Sequence, residues 1–343
     1  MVGFNTPNTV GRYVFDEENE GKRWNIYRTT PIATLNPNDF IATQVWYPSK
    51  DGTKVPMFIV RHKDTQSDGT APAIQYGYGG FTISIDPFFS PAMLTMLKKY
   101  GAVLAVPNIR GGGEFGEAWH QGGIRERKLL SYGLFREYLV KHKYAAPGKV
   151  AINGGSNGGL LVAACVNRAP EGTFGAAVAE VGVLDLLKVR RGHRTMAIQA
   201  TPTTLTSYTL FPRYTTYPQI GFCLPPYCLR LIVCRSVSFV RFIRLISFAI
   251  DDDRVVPLHS FKHAATLQHM KPNNPHPLLI RIDKKAGHGS GKSTDQRYGH
   301  FIVTACRGLI NDVLRCYRIK EAADKWGFVV QSNGWVAKQT EAS

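Results

Sequence analysis

Apolar residues recur along this chain in short bursts, and each burst closes on a glycine-rich or polar turn. Residues 41–62 (IATQVWYPSKDGTKVPMFIVRH) read as two strands around the Asp51–Gly52 turn. The run APAIQYGYGGF (71–81) is brief and apolar and enters a glycine-rich turn. GAVLAVPNIRGGGEFG (101–116) repeats that logic, with a buried strand expected at 101–107 and a loop after it. KVAINGGSNGGLLVAACVNRAP (149–170) supplies strand, sharp turn and helix in succession. A further apolar run covers 242–250, and HPLLIRIDKKAGHGSGK (276–292) gives a strand that ends in a glycine-flanked histidine. Strands alternating with helical stretches predict an α/β fold, with a mostly parallel central sheet flanked by helices on both faces. Functional groups in such sheets gather at the carboxyl ends of strands. Every candidate motif in this chain falls at such an end.

One motif carries the chemistry. Gly154-Gly155-Ser156-Asn157-Gly158 matches G-x-S-x-G, in which a serine occupies a strained turn between strand and helix. Small neighbours let the backbones approach, and the hydroxyl then projects above the sheet beside a helix N-terminus. The preceding Val150-Ala151-Ile152-Asn153 is strand-like, and the following Leu160-Leu161-Val162-Ala163-Ala164 suits a helix, which is the context the motif requires. A serine hydroxyl is a weak nucleophile and needs a base that is itself oriented by a carboxylate. In this architecture the chain order is Ser, then Asp or Glu, then His. Asp251-Asp252-Asp253-Arg254 follows the apolar 242–250 run, and His288 lies in Ala286-Gly287-His288-Gly289. The order fits, and among the ten histidines His288 has the glycine loop that lets an imidazole swing over a serine.

Composition sets the bounds around that chemistry. Hydrophobic residues make up 44% of the 343, enough for a real core in one large domain with an extra segment. The six cysteines (Cys165, Cys223, Cys228, Cys234, Cys306, Cys316) form no zinc spacing and read as thiols of a reducing compartment. The opening MVGFNTPNTVGRYVFDEENEGKRW has no basic head followed by an apolar run, so a cytoplasmic location is expected. Net charge is +17, which by itself suggests nucleic acid. Its distribution argues otherwise: from Leu186 to Ile250 there is no Asp or Glu, while Lys188, Arg190, Arg191, Arg194, Arg213, Arg230, Arg235, Arg241 and Arg244 place 9 cations in one stretch. Acid-free windows of that length depart from the mixed charge of globular domains. Within it, 229–250 has the length of a membrane span, but four arginines at about 2.5–3.5 kcal/mol each oppose spanning. Gly111-Gly112-Gly113 precedes Glu114 rather than the Lys-Ser/Thr of a phosphate loop. No cofactor, metal, nucleic acid or membrane partner is expected, and the chain is expected to act as a monomer.

Longer strings go further than the serine turn. YGYGGF (76–81), NIRGGGEFG (108–116), INGGSNGGLLVAACVN (152–167), DDRVVPLHSFKHAATLQ (252–268) and KAGHGSGK (285–292) resemble the catalytic domain of the prolyl oligopeptidase family. The resemblance covers roughly 40–185 and 251–320. It implies an α/β-hydrolase fold and cleavage of short peptides on the carboxyl side of proline. It assigns the nucleophile to Ser156, the orienting carboxylate to Asp252 and the base to His288. It also implies that Tyr78 and the backbone N–H of Asn157 stabilise the oxyanion, each such donor being worth about 3–4 kcal/mol. Arg254 is then expected to hold a substrate carbonyl. Phe81, Val183 and Val255 are expected to line the proline pocket, although residue type alone would make them core packing.

The likeness lapses in three places. The family's β-propeller is largely missing, with residues 1–40 matching only its last part and a linker. The catalytic domain is then expected over 41–330 and a tail over 331–343. Lys128–Glu137 (KLLSYGLFRE) is shorter than its counterpart and lacks the acidic and aromatic residues expected there. The basic segment 189–249 bears no likeness as written, and no tryptophan stands between Trp119 and Trp326 to stack on a substrate proline. Back-translation of Thr195–Pro218 with permitted third bases, read one base earlier, can give DHGNPGDPHDFDFLYPISPLHNIP, which resembles the family's own loop. The hypothesis is that 189–249 is an out-of-frame or unspliced translation. Transcript sequencing tests it, and one uninterrupted frame encoding this protein refutes it. Two further functional readings stay open on sequence alone: a generic esterase or aminopeptidase, and a fragment whose catalysis is impaired.

Overall fold

A computed structural model of the chain describes residues 1–30, 32, 35–124, 134–170, 172–184, 243–249, 252, 254–274, 276–283, 287–288 and 322–338. Strands β1 (Thr9–Tyr13) and β2 (Trp24–Thr29) form an antiparallel hairpin of their own. The main sheet has eight strands: β3 (Phe40–Pro48), β4 (Lys54–His62), β5 (Ala73–Tyr76), β6 (Val103–Pro107), β7 (Val150–Gly155), β8 (Ala176–Glu180), β9 (Ile243–Ala249) and β10 (Leu278–Asp283). Their spatial order is β10-β9-β8-β7-β5-β6-β4-β3. From β6 to β10 every pairing is parallel, and β4 and β3 close the other side antiparallel. The mostly parallel sheet read from the sequence is therefore present, with an antiparallel margin built from the 41–62 hairpin.

Side-chain alternation sorts the core into two layers. Met57, Ile59, Ala73, Val103, Ala105, Ile152 and Ala177 face one side, with Leu161, Val162 and Val166 of helix α5 (Asn157–Arg168) and Leu139 of α4 (Leu134–Lys141) packed on them. Val60, Ile74, Leu104, Val106, Ala151, Ala176 and Val178 face the other. There they meet Met93, Leu94, Met96 and Leu97 of α2 (Pro91–Tyr100), and Trp326 and Val329 of a helix over 322–333, termed α7. Period-two alternation in strands buried on both faces produces this division. Each large side chain removed from water contributes about 1.5–3 kcal/mol. Phe4 and Leu35, before the boundary expected at 41, and Trp335, within the stretch 331–343, also pack into the second layer.

Local chemistry sets the element ends. Ser90 caps α2 by accepting from the Met93 N–H at 3.3 Å, and Gly101 terminates it at φ 62°. Gly101 thus serves the helix, and β6 begins at Val103 rather than at 101 as the apolar run suggested. A glycine fits because the left-handed region carries no Cβ penalty there. The short α1 (Glu20–Arg23) and α3 (Gly116–Gln121) occupy connections, and α6 (Leu258–Met270) follows the Asp252 turn. Strand β9 falls inside the basic segment, with Ile246 buried between β8 and β10. The remainder of 189–242 and the stretch 128–133 lie outside the described residues. Among the described residues no helix is long and apolar enough to cross a membrane.

Candidate active site

Strand β7 ends at Gly155, helix α5 starts at Asn157, and Ser156 makes the turn between them at φ 56°, ψ −116°. A non-glycine residue at positive φ is costly and persists only where the surroundings over-determine it. Here the Ser156 N–H donates to the Glu180 carbonyl at 2.9 Å, and the Ser156 carbonyl accepts from the Leu160 N–H at 3.2 Å. Crowding explains two of the flanking glycines. A Cβ on Gly154 would stand 2.6 Å from the Gly77 carbonyl oxygen, and one on Gly158 would press on the same carbonyl. Gly155 is different, since a Cβ there would meet nothing closer than 3.9 Å. The Ser156 side chain does not cap its own helix, which leaves Oγ for another partner.

That partner is His288. Its Nε2 lies 2.9 Å from Ser156 Oγ, and its Nδ1 lies 2.9 and 2.8 Å from Asp252 Oδ1 and Oδ2. A carboxylate only accepts, so Nδ1 carries the proton and Nε2 accepts from the serine hydroxyl. Asp252 is 4% exposed, and its Oδ1 also accepts from the backbone N–H groups of Arg254 (3.0 Å) and Val255 (2.8 Å). These bonds fold the segment after β9 into a turn that aims the carboxylate at the imidazole. Residues 132 positions apart in sequence for Ser156 and His288, and 36 for Asp252 and His288, thus form one hydrogen-bonded chain.

The predicted oxyanion groups come from two segments that are tied together. Tyr78 lies in the turn after β5, and its carbonyl accepts from the Asn157 side-chain amide at 2.9 Å. Asn157, the first residue of α5, is 2% exposed, so its amide locks the Tyr78 turn against the start of the nucleophile helix. Burial pushes the Tyr78 phenol up, and the nearby Arg254 charge opposes that rise. Arg254 itself is exposed. Phe81 is half-buried at φ 55°, whereas Val183 and Val255 are each 2% exposed. The described residues hold no group of three His, Cys, Asp or Glu side chains able to bind a metal.

Two polar clusters escaped the sequence reading. Asn153, buried within β7, donates through Nδ2 to the Val178 carbonyl (3.2 Å) and to Glu180 Oε2 (2.9 Å). Lys325 Nζ of α7 reaches Glu180 Oε1 and Oε2 at 3.1 and 3.2 Å. Second, Arg110 forks onto Asp51 (2.6 and 3.0 Å) and Ser49 Oγ (2.8 Å), joining the β3–β4 turn to the glycine-rich loop after β6. The hydrogen bond from Arg110 holds the Asp51 carboxyl well below the usual carboxylate range. The available signal was a polar residue inside an apolar strand run, Asn153, and an arginine between apolar and glycine-rich sequence, Arg110.

Comparison with known proteins adds the context. Residues 87–304 match the model of the prolyl oligopeptidase family. Over all of its length the chain is 54% identical to Prolyl oligopeptidase A of Amanita bisporigera, covering 41% of that protein. It is 51% identical to Dual function macrocyclase-peptidase POPB of Galerina marginata, over 99% of this chain and 43% of the relative. Among solved structures, Prolyl oligopeptidase B from Galerina marginata, bound to a 35mer hydrolysis and macrocyclization substrate, is similar at a TM-score of 0.76 and 49% identity. That likeness covers 98% of this chain and 43% of the other. The chain spans about two-fifths of the length of the curated relatives it matches.

Proposed function

This chain belongs to the prolyl oligopeptidase family, with an α/β-hydrolase fold, and on that footing we propose that it is a serine endopeptidase cleaving short peptides after proline. The observation that carries the proposal is the Ser156–His288–Asp252 hydrogen-bond chain at 2.8–2.9 Å. In this mechanism Ser156 Oγ attacks the scissile carbonyl as His288 Nε2 takes the hydroxyl proton. Asp252 keeps the imidazole in the required tautomer and stabilises the imidazolium that forms. Negative charge on the carbonyl oxygen is met by the Asn157 backbone N–H and the Tyr78 hydroxyl. The C–N bond then breaks, and His288 returns its proton to the leaving amine. Water attacks the resulting ester with His288 again as base, releasing the acid and Ser156. Arg254 holds a carbonyl of the substrate, and Phe81, Val183 and Val255 form the wall for the proline ring.

Family membership favours proline amides over the open esterase and aminopeptidase readings. The similarity to dual-function relatives adds a second fate for the acyl-enzyme, capture by an amine of the same peptide in place of water. A Gly-Pro reporter amide tests the main proposal: the chain turns it over and the Ser156→Ala variant does not. Equal rates for the two proteins would eliminate the mechanism. A fluorophosphonate that modifies Ser156 reports separately whether the triad is assembled, which an impaired fragment would fail. A peptide carrying both a free amine and an internal proline separates hydrolysis from cyclisation by product mass.

A further inference from the structure

We propose that Lys325 is a positioning residue for Ser156, acting through Glu180; the proposal rests on the reading of Ser156 as nucleophile. Glu180 ends β8 opposite Gly155, and its carbonyl accepts the Ser156 N–H at 2.9 Å. That bond extends the β7–β8 ladder by one step into the residue with positive φ. The same Glu180 is fixed by its side chain, with Asn153 Nδ2 on Oε2 at 2.9 Å and Lys325 Nζ on both oxygens at 3.1 and 3.2 Å. Lys325 and Glu180 side chains are 19% and 22% exposed, so the pair is shielded from the solvent screening that weakens surface ion pairs.

Helix α7 has little freedom to withdraw the lysine. Trp326 and Val329 are buried against the sheet face that carries Ala151, Ala176 and Val178, and Lys325 Nζ lies 4.8 Å from the Trp326 ring centroid. The adjacent Asp324 pairs with Arg281 of β10 at 3.3 Å. The helix therefore braces two strands, β8 at its end and β10 within it. Removing the ammonium leaves the Glu180 carboxylate, already drawn partly from water, with the Asn153 amide as its donor, and favours its rotation outward. The Glu180 backbone follows, and the Ser156 turn loses the acceptor that holds it. A small displacement of a reacting atom is enough to cost orders of magnitude in rate.

The test uses the full 343-residue chain with Lys325→Met, Lys325→Arg and Glu180→Gln. Two quantities are read: the second-order rate of fluorophosphonate labelling of Ser156, and hydrogen exchange at the Ser156 amide. Lys325→Met is expected to slow labelling about tenfold and to speed Ser156 exchange about tenfold, with the Ala151 and Ile152 amides unchanged. Lys325→Arg, which keeps the ion pair, restores both. If Lys325→Met does not fold, Glu180→Gln carries the same expectation, because it keeps volume and an acceptor for Asn153. Unchanged labelling and exchange overturn the proposal, as does equal acceleration of exchange along all of β7, which marks general loosening. A parent chain that never labels, yet whose Ser156 amide responds to Lys325, supports the positioning role while overturning the nucleophile reading.

Discussion

The Tyr78 phenol, raised by burial, keeps its proton through neutral and mildly alkaline pH, so it remains a hydrogen-bond donor there. Tyr78→Phe is expected to lower kcat on a proline amide about 10²–10³-fold with little change in KM. A loss confined to KM in steady-state kinetics would instead make Tyr78 a ground-state binding group. At this scale legibility tracked chemistry. The grouping of Ser156, Asp252 and His288 was legible because the nucleophile, orienting acid and base expected of such a fold follow a fixed order at strand ends. The Asn157 side chain was not readable. Its bond to the Tyr78 carbonyl spans 79 positions, and nothing in the local string announces a tertiary partner.

The β3–β4 turn shows how one element depends on another's charge. Asp51 is held low chiefly by its hydrogen bond from Arg110, and its side chain is 37% exposed, so its contribution is tempered by solvent. A depressed folded value means that the unfolded chain binds the proton first as pH falls. The stabilisation is therefore complete above the ordinary carboxylate range, about pH 4, and fades as acid titrates the folded carboxyl. Asp51→Asn is expected to lower Tm at pH 7, with the gap to the parent narrowing progressively as pH falls below about 4. A gap that is constant over that range would mean the side chain matters for shape alone. The hairpin itself was visible in the alternation of 41–62 and its Asp-Gly turn. The start of β6 was not, because Gly101 and Ala102 look like strand while Gly101 closes the preceding helix. Strand β9 shows the converse: the apolar run of 242–250 was legible, and a strand stands at 243–249 inside the acid-free segment.

For the molecule as a whole, the second sheet face is covered by pieces far apart in sequence. Phe4, helix α2, Trp326, Val329 and Trp335 share one cluster. Trp326→Ala is expected to cost about 3–5 kcal/mol, read as a lower denaturation midpoint at an unchanged m-value. A shift below about 1 kcal/mol would show that α7 contributes little to that layer. The mostly parallel sheet followed from alternating strands and helices, but the closure of this face did not. Residues 322–338 owe their importance to what they cover. Synthesis runs from Phe4 toward Trp335, so this face stays wet until the last of these aromatics clears the ribosome. Ser156, made long before, spends that interval on an unfinished scaffold. Closure of this face is therefore a late event in synthesis, complete only when Trp335 has joined Phe4 and Trp326 on it.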